Sequence, residues 1–463
     1  MSRLPLAEIL HFAQDDNKEV ADLTWMRYYD GMNYQESISY ILRFADFERL
    51  PRSGVVWDLR RVERLLEKLG NPHLAARTVH IAGTKGKGST SAMVASILRQ
   101  AGYKVGLYTS PHLLSYTERI RINGKPIAEA EWVRLVEKLQ PHITAVNEEK
   151  EFGELTTFEI LTVMAFTEFR DAKADWQVME VGIGGRLDAT NVVKPEVCII
   201  TSISYDHMDI LGDTLGKIAG EKAGIIKPGV PVVSAPQQPE AMGEIERICT
   251  ERGARLVKVG QDVIYQPDTY DNKGQMFFVK GQKEQYELRI PLWGEYQLEN
   301  AANAVAAAEI VGINKKSIVK GLEKVDWPGR LQVLRRNPTI VVDGAHNVYS
   351  FQKLGEALKE YFKYDRLFLI LGFSSDKDVT GMLDEALKMT KEVIVTASRS
   401  PRSVKPPVLM AELAKRGAVA RATESVADAL KLALEMAKPN DFICATGSLF
   451  LVAEVMEGLG VKE

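Results

Sequence analysis

The sequence predicts an α/β protein of two domains, in each of which helices cover both faces of a mainly parallel sheet. In two stretches, 78–235 and 339–448, apolar strand-like runs alternate with amphipathic segments of helix length, which is typical of parallel sheets. Between these stretches, residues 258–292 are polar and strand-like, a texture that indicates hairpins. Because the alternation restarts after "DWPGR" (326–330), we interpret this Pro-Gly segment as the linker between the domains.

Short apolar runs predict the individual strands. In the first domain these runs are "TVHIAG" (78–83), "YKVGLYTS" (103–110), "WQVMEVG" (176–182), "VCIITSIS" (197–204) and "VPVVSA" (230–235). In the second domain they lie at 339–347, 366–374, 392–398 and 441–448. One helix is predicted from about Ser89 and another near 297–311. Because an open α/β sheet gathers its ligands at the carboxyl ends of its strands, residues that follow these runs are the first site candidates.

Composition narrows the class of function. The chain has 463 residues, of which 45% are hydrophobic and 26% charged, with a formal net charge of −3, so two or three domains with sizeable cores are expected. Nucleic-acid and membrane-surface proteins usually carry a basic excess, which this sequence lacks. We therefore expect small-molecule partners and neither nucleic acid nor membrane.

The cysteines and the N-terminal residues favour a cytoplasmic protein. Cys198, Cys249 and Cys444 lie far apart without a C-x-x-C spacing, so neither a zinc site nor a disulfide is expected. The first residues include no long apolar run, which argues against a signal peptide and a transmembrane helix. Residues 1–33 are interpreted as a partly helical N-terminal extension.

The segment "HIAGTKGKGST" (80–90) predicts a phosphate-binding loop. Gly83, Gly86 and Gly88 stand between an apolar strand and a helix, where backbone amides and the helix N-terminus can cradle phosphates. An ordinary glycine-rich turn would need neither Lys87, placed for the β/γ-phosphates, nor the Ser89-Thr90 pair. The spacing differs from G-x-x-x-x-G-K-[ST], because Gly88 takes the place of the hydroxyl residue after the lysine.

Seven motifs together resemble one known family. They are "GTKGKGST" (83–90), "TSPHL" (109–113), "MEVGIGGRLDATN" (179–191), "SYDHMDILGDTLGKIAGEKAGIIKPG" (204–229), "PGR" (328–330), "DGAHN" (343–347) and "TGSLFLVAEV" (446–455). From about Tyr34 to its end, the chain resembles folylpolyglutamate synthases and dihydrofolate synthases, a branch of the Mur ligase superfamily. The resemblance implies a P-loop, Mur-ligase-like ATPase domain (34–328) and a smaller Rossmann-like C-terminal α/β ligase domain (329–463). The family's loop also has glycine after the lysine, whereas Lys85 stands where many members have asparagine.

The resemblance implies an ATP-dependent acid–amino-acid ligase. ATP would phosphorylate a substrate carboxylate, and the amine of L-glutamate would attack the acyl phosphate to form an amide, with release of ADP and phosphate. A loop around the β/γ-phosphates agrees with γ-phosphoryl transfer. The implied acid substrates are reduced folates, dihydropteroate, or both, and the expected cofactor is Mg²⁺, with two ions. We expect a monomer.

The implied site residues fall into groups. The catalytic residues are Lys87, His207, Lys222 and Arg330. Those assigned to ATP are Gly83, Thr84, Lys85, Gly86, Lys87, Gly88, Ser89, Asn300 (adenine), Arg330 (phosphate) and Asp343 (ribose). The metal ligands are Ser110, Glu180, His207 and Lys222, of which the first three lie at or beyond the ends of predicted strands. Each of these three residues also has an alternative interpretation when it is taken alone: Ser110 as a turn serine, Glu180 as a solvated glutamate and His207 as a structural histidine.

Lys222 is also singled out by its own position. Leu215, Ile218, Ala219 and Lys222 follow the i, i+3, i+4, i+7 spacing of an apolar helix face. Burial there would lower the pKa of the amine, and a neutral amine can capture carbon dioxide as a carbamate (N6-carboxylysine), an anionic oxygen ligand. The resemblance implies the same modification. The alternative is a lysine that extends to solvent from a short helix.

The acid and glutamate sites are assigned to a third group. Arg119 and Arg121 alternate along a predicted strand, so that they face either carboxylates or solvent. Thr156, Leu187, Asp188 and Ala189 match positions that contact dihydropteroate in the family, and His346 is assigned to orienting glutamate.

Two other classes of protein remain as alternatives. Another amino-acid ligase of the Mur superfamily would share the ATP chemistry, but a peptidoglycan-type ligase should carry a separate N-terminal domain, and only about 75 residues precede the loop. A P-loop nucleotide switch without ligase activity would need neither "DGAHN" nor a lysine on an apolar stripe. Glutamate-dependent release of ADP distinguishes this last alternative from a ligase.

Overall fold

The computed structural model describes residues 31–46 and 57–461. The predicted N-terminal extension lies almost wholly outside these described residues. Within them, no helix combines the length and the apolar character needed to cross a membrane. The three cysteines are buried free thiols.

The first and largest sheet has eight strands in the order β4-β3-β2-β5-β1-β6-β7-β8. The strands are β1 (Arg77–Ala82), β2 (Val105–Tyr108), β3 (Ile120–Ile122), β4 (Lys125–Pro126), β5 (Trp176–Glu180), β6 (Pro195–Ile200), β7 (Val232–Ser234) and β8 (Leu256–Lys258). Strands β2, β5, β1, β6, β7 and β8 are parallel, and β3 and β4 are added antiparallel at one edge. Each predicted strand of the first domain is confirmed, although all five strands end earlier than their apolar runs.

Helices cover both faces of this sheet. On one face lie helices Lys87–Gln100, Glu295–Ile310 and Lys315–Glu323, which share an apolar core with the strand residues Ile81 and Val178. The opposite face carries the helices Tyr34–Ile41, Arg60–Lys68, Glu129–Glu149, Thr157–Asp171, Met208–Leu211, Leu215–Ala223 and Pro239–Glu251. Alternate strand residues point to the two faces, as the pleat requires, so both faces of this sheet are buried.

A small antiparallel sheet follows, as the polar strand-like texture predicts. Its strands are β9 (Ile264–Asp271), β10 (Gly274–Lys280) and β11 (Gln285–Ile290), in the order β11-β10-β9. Buried Glu309, in helix Glu295–Ile310, accepts the backbone N–H groups of Gln282 (2.7 Å) and Glu284 (3.1 Å) and the hydroxyl of Tyr286 (2.8 Å). One carboxylate therefore fixes the β10–β11 turn to the helix.

The third sheet begins just after the predicted linker. It consists of β12 (Gln332–Arg335), β13 (Thr339–Val342), β14 (Leu367–Leu371), β15 (Glu392–Val395), β16 (Ala420–Ala422) and β17 (Phe442–Thr446). The order is β12-β13-β17-β14-β15-β16, and only β12 is antiparallel to its neighbour. The covering helices are Val348–Tyr361, Val379–Met389, Pro406–Lys415, Val426–Met436 and Leu449–Gly458. The chain is thus an α/β protein with a second, smaller α/β unit, as the sequence predicts.

One local prediction is wrong. Arg119 and Arg121 do not share a strand face, because residues Tyr116–Arg119 form a 3-10 helix and β3 starts only at Ile120. The cause is local capping: the carboxylate of Glu118 accepts the backbone N–H groups of the preceding turn, including that of Ser115 at 2.8 Å. These bonds keep the chain coiled up to Arg119.

Candidate active site

The predicted phosphate-binding loop lies between β1 and helix Lys87–Gln100. Gly86 adopts a left-handed φ of 87°, which favours glycine. At Gly83 a Cβ atom would lie 1.9 Å from Oγ1 of Thr201, so a larger residue is excluded there as well. The helix begins at Lys87, two residues before the predicted start, and its N-terminal amides therefore belong to the loop itself.

A cleft between the two large sheets contains the loop. Its empty volume is about 1380 Å³, and all the residues assigned to ATP line it, together with Ser110, Glu180, His207 and Lys222. The loop residues follow β1, Ser110 follows β2, Glu180 ends β5, His207 follows β6, and Lys222 lies on helix Leu215–Ala223. Arg330, Asp343 and His346 enter from the linker and the third sheet. The structure thus brings the predicted residues of two distant chain segments into one cavity.

Glu180 is a buried carboxylate of this cleft. It is the last residue of β5, and its Oε2 accepts the backbone N–H of Ser110 at 3.1 Å. Burial raises the pKa of Glu180 to about 7, although the charge of Lys87 opposes the rise. Within the described ranges, no group of three or more His, Cys, Asp or Glu side chains could hold a metal ion. A carboxylate beside a serine does suit Mg²⁺, which commonly takes one or two carboxylates and completes its shell with phosphate oxygens and water.

Lys222 lies where the apolar stripe predicts. Helix Leu215–Ala223 is capped by Thr214, and its buried residues are Ile218, Ala219, Lys222 and Ala223. The Nζ of Lys222 donates to the carbonyl oxygen of Gly83 at 2.9 Å, so the amine touches the phosphate-binding loop. Burial, together with the nearby charge of Lys87, lowers the pKa of Lys222 to about 7.

Asp206 is a charged centre of the cleft that the sequence analysis missed. Its carboxylate pairs with Lys85 of the loop at 3.0 Å and with Lys377 of the second domain at 3.2 Å. Nε2 of His207 lies 3.7 Å from Oδ1 of Asp206. Burial opposes ionisation, but the charges of Lys85, His207 and Lys377 hold the pKa of Asp206 well below its usual range. This carboxylate therefore ties the two domains together beside the phosphate-binding loop.

His346 completes the same cluster from the "DGAHN" turn. Its Nδ1 lies 2.7 Å from the carbonyl oxygen of Gly344, which can only accept, so Nδ1 carries the hydrogen. Its Nε2 lies 3.2 Å from Nζ of Lys85 and accepts from that ammonium. The charge of Lys85 and burial hold the pKa of His346 well below its ordinary value, so the ring is neutral.

Asn300 and Asp343 already have protein partners. Oδ1 of Asn300 would lie 2.2 Å from a Cβ on Gly86, so the amide packs against the phosphate-binding loop. Its Nδ2 donates to Oε1 of Gln297 at 3.0 Å. The carboxylate of Asp343 accepts the N–H groups of Leu331 and Ala345, both at 2.8 Å. Asp343 therefore fixes the "DGAHN" turn to the linker.

A second cleft of about 1280 Å³ adjoins the first. Its walls include apolar and aromatic side chains from both domains, namely Trp57, Phe158, Ile183, Leu187, Ala189, Leu449 and Phe450. Thr156, Asp188 and His346 also line it. The residues common to both clefts are Ser110, Pro111, Gly182, Ile183, His207, His346 and Leu449. The two cavities therefore meet beside Ser110, His207 and His346.

The predicted substrate residues Asp188 and Thr156 are engaged in local structure. Asp188 accepts the N–H groups of Gly182 and Ile183 through Oδ2, and the hydroxyl of Thr190 through Oδ1. Because the hydroxyl of Thr190 donates to Asp188, its oxygen accepts from Nε2 of buried His80 at 2.8 Å. Thr156 caps helix Thr157–Asp171 in a capping box. Both residues shape the wall of the second cleft.

Arg119 and Arg121 line neither of the two large clefts. Arg119 is buried, and its Nε donates to Nδ1 of His112 at 2.9 Å. Arg121 borders a separate small cavity beside the linker, with its guanidinium carbon 5.9 Å from the ring centroid of Trp327. The hypothesis that these arginines meet substrate carboxylates gains no support from their positions.

The second cleft contains charged residues that the sequence analysis did not select. Asp376, Lys377 and Arg402 extend from the loops after β14 and β15, and Arg402 pairs with Asp376 at 3.3 Å. The signal was available, because these loops follow two predicted strands at the edge where ligands collect. The first-domain partner of Lys377, Asp206, is far away in the sequence, so this pairing was not visible.

Comparison with known proteins agrees with this arrangement. The Mur ligase middle domain matches residues 81–308, and the Mur ligase, glutamate ligase domain, matches residues 329–449. The chain is 36% identical over 436 residues to the dihydrofolate synthase/folylpolyglutamate synthase of Bacillus subtilis, covering 92% of this chain and 99% of that protein. It superposes on the Mycobacterium tuberculosis folylpolyglutamate synthase complexed with ADP with a TM-score of 0.87 and 30% identity, over 92% of this chain and 98% of that one. For E. coli FolC in complex with DHPP and ADP, the TM-score is 0.80 and the identity 31%, over 92% of this chain and 97% of that one.

Proposed function

The chain belongs to the Mur ligase family, in its branch of dihydrofolate and folylpolyglutamate synthases, and we propose that it is an ATP-dependent ligase of folate metabolism. It joins L-glutamate to the carboxylate of a folate-type acid. The observation that carries this proposal is the junction of the two clefts beside Ser110, His207 and His346. One cleft has the phosphate-binding loop and the other has apolar walls suited to a flat ring system, so the γ-phosphate and the acid can meet there.

The reaction has two steps. An oxygen of the substrate carboxylate attacks the γ-phosphorus, the bond to the β-γ bridging oxygen breaks, and ADP leaves. The amine nitrogen of glutamate then attacks the acyl carbon of the acyl phosphate, phosphate leaves with the carbon–oxygen bond pair, and the nitrogen loses a proton as the amide forms. Carboxylate and triphosphate repel each other, so the junction needs cations at the phosphates.

Lys87 and Arg330 are the protein's cations for the γ-phosphate. Both line the cleft that contains the phosphate-binding loop, the nucleotide cleft. Lys87 enters it from the first turn of its helix and Arg330 from the linker. Arg330 can bind phosphate oxygens through two N–H groups. Lys85 is less available, since it already contacts Asp206 and His346.

Glu180 and Ser110 are the residues that would hold Mg²⁺, with His207 as a further candidate. The ion would supply charge neutralisation for the phosphates. A buried carboxylate beside a serine is a suitable oxygen donor set. A second ion would need one more anionic ligand, and a carbamate on buried Lys222 would provide it. The support for that modification is the burial of the amine against the phosphate-binding loop.

His346 is suited to glutamate. Its neutral ring lies at the junction, with Nδ1 directed to Gly344 and Nε2 to Lys85, where it can contact and orient the incoming amino acid. Lys377 and Arg402 supply positive charge to the same side of the second cleft and suit the glutamate carboxylates. Dihydropteroate and reduced folates both fit the chemistry of this cleft, and we propose a cytoplasmic monomer that accepts at least one of them.

The test is a ligation assay with purified protein, ATP, Mg²⁺ and labelled glutamate, offered dihydropteroate and a reduced folate in turn. We expect ADP release that depends on both glutamate and one of the pterin acids, with label in the product. ATP hydrolysis that is indifferent to both co-substrates would instead support a nucleotide switch.

A further inference from the structure

Gly88 is the loop residue that differs from the common phosphate-binding sequence, which has serine or threonine after the lysine. Its backbone belongs to the first turn of helix Lys87–Gln100 and is not among the residues with positive φ. Backbone conformation therefore does not require glycine here. The requirement must come from the space around the residue.

The indole of Trp327 fills that space. A Cβ atom on Gly88 would lie 2.9 Å from Cζ2 of Trp327 and 3.3 Å from both Cε2 and Nε1. Carbon atoms in favourable contact are about 3.5–4.0 Å apart, so any side chain at position 88 would displace the indole or the loop. Gly88 and Trp327 are thus complementary: the indole covers the surface that a side chain would otherwise cover.

Packing holds the Trp327 ring in place. The indole rests against the apolar core beneath helix Lys87–Gln100, and the guanidinium of Arg121 lies 5.9 Å from its centroid. Across the described part of the chain, no hydrogen-bond acceptor reaches its buried Nε1. Because no hydrogen bond fixes the ring, its position depends on the shape of its surroundings, and above all on the absence of a side chain at Gly88.

The linker connects this contact to the reacting phosphate. Trp327, Pro328 and Arg330 line one small cavity, and Arg330 also lines the nucleotide cleft. Only Pro328 and Gly329 separate Trp327 from Arg330, and the proline ring fixes one backbone angle of this short connection. A shift of the indole would therefore move the guanidinium relative to Lys87.

We propose that Trp327 is a positioning residue for phosphoryl transfer. Its indole takes the place of the side chain missing at Gly88, and it fixes the linker, with Arg330, against the first turn of the phosphate-binding helix. This inference rests on the proposed function and adds the residue that sets the distance between the two γ-phosphate cations.

The test compares Gly88→Ala, Trp327→Leu and the double variant. Gly88→Ala should lower kcat/KM by about 10²-fold, because displacements of about 1 Å in an active site can cost that much. Trp327→Leu should lower kcat with little change in ATP affinity. In the double variant leucine leaves room for the new methyl group, so activity should recover about tenfold over Gly88→Ala, an ordinary coupling for residues in contact. Gly243→Ala is the matched control, since a Cβ there meets nothing within 4 Å.

Two results would overturn the proposal: full activity of Gly88→Ala, or a double variant whose loss equals the product of the two single losses. If Gly88→Ala does not fold, a double variant that folds and turns over is the same rescue. ATP affinity, measured by titration calorimetry without folate or glutamate, separates this proposal from the proposed function. It should weaken in Gly88→Ala and recover in the double variant even if the wild-type protein shows no ligation, and an unrecovered affinity would then count against Trp327.

Discussion

Lys87 and Lys85 stand two residues apart in the phosphate-binding loop but have different partners. Lys85 is engaged with Asp206 and His346, whereas Lys87 begins the helix and lines the nucleotide cleft. Lys87→Ala should lower kcat by about 10²–10³-fold, as expected for the loss of a charged contact to the transition state. Lys85→Ala should lower it much less, since Asp206 keeps Lys377 as a partner. Steady-state kinetics of both variants checks this, and equal losses would contradict the assignment.

Lys222 offers a second prediction for a single residue. If its carbamate is a ligand, Lys222→Ala should fold normally and be nearly inactive. Acetate should partly restore activity by placing a carboxylate in the vacated space, whereas alkylamines should not. The measurement is ligation rate against added acid or amine. Rescue by an amine would show that the ammonium itself is the working group.

Residue positions were predictable where a motif names them, and not where distant segments meet. All the residues assigned to ATP reach one cleft. Asp206 stands beside His207 within one of the motifs, yet its pairing with Lys377 joins positions 171 residues apart, and sequence patterns contain no information on such contacts. The strand prediction for Arg119 is wrong for a different reason. The carboxylate of Glu118 caps the preceding turn, and this local hydrogen bonding competes with strand formation.

At the scale of single elements, His80 in strand β1 leads to a prediction about how the stability of the protein depends on pH. Buried His80 donates through Nε2 to Thr190, and its Nδ1 has no partner among the described residues. Burial lowers the pKa of His80 to about 3, below the value near 6.5 of an unfolded chain. The unfolded state therefore binds a proton that the folded state does not, so the contribution of His80 to stability is constant above about pH 6.5 and falls as the pH decreases below that value.

The expected loss on going from pH 7.5 to pH 5 is about 2 kcal/mol from this histidine alone. His80→Gln keeps a donor for Thr190 and does not titrate, so its free energy of unfolding should depend less on pH by that amount. Denaturant titrations of both proteins at the two pH values measure the difference. If both proteins showed the same pH dependence, His80 would take up its proton as readily in the folded state as in the unfolded state, which would contradict the prediction.

Helices and strands were predictable because the sequence patterns that indicate them are local. Apolar runs between turn residues identify five of the eight strands of the first sheet and four of the six strands of the third, and the predicted start of the helix after the phosphate-binding loop lies two residues from the observed one. Strand ends were less predictable, since the runs continue into the loops that form the site. Ser110, Gly182, Ile183 and Ser202, which lie in these continuations after β2, β5 and β6, line the clefts.

At the scale of the whole molecule, the proposed role of the linker is to couple the position of the two units to the chemistry. Arg330 enters the cleft from the segment that joins the two α/β units. Arg330→Ala should lower kcat more than it weakens ATP binding, because the guanidinium acts on the charge that develops in the closed complex. Rapid-quench kinetics and a separate ATP titration give the two quantities. An unchanged rate would make Arg330 a surface residue of the linker.

The sequence predicts the two units and their order, but not how they face each other. Their relative position depends on contacts such as that of Asp206 with Lys377, which joins segments that sequence periodicity treats separately. These contacts make two clefts meet at one point, and the proposed reaction depends on that meeting.

The most direct test of the account follows one oxygen atom. A folate-type acid labelled with ¹⁸O in its reacting carboxylate is ligated to glutamate in a single turnover, and the released phosphate is analysed by mass spectrometry. If the γ-phosphate is transferred to the carboxylate where the clefts meet, one labelled oxygen must leave with phosphate when the amine attacks. We predict one ¹⁸O per phosphate released, with ADP as the nucleotide product. Unlabelled phosphate, or AMP with pyrophosphate, would contradict the account.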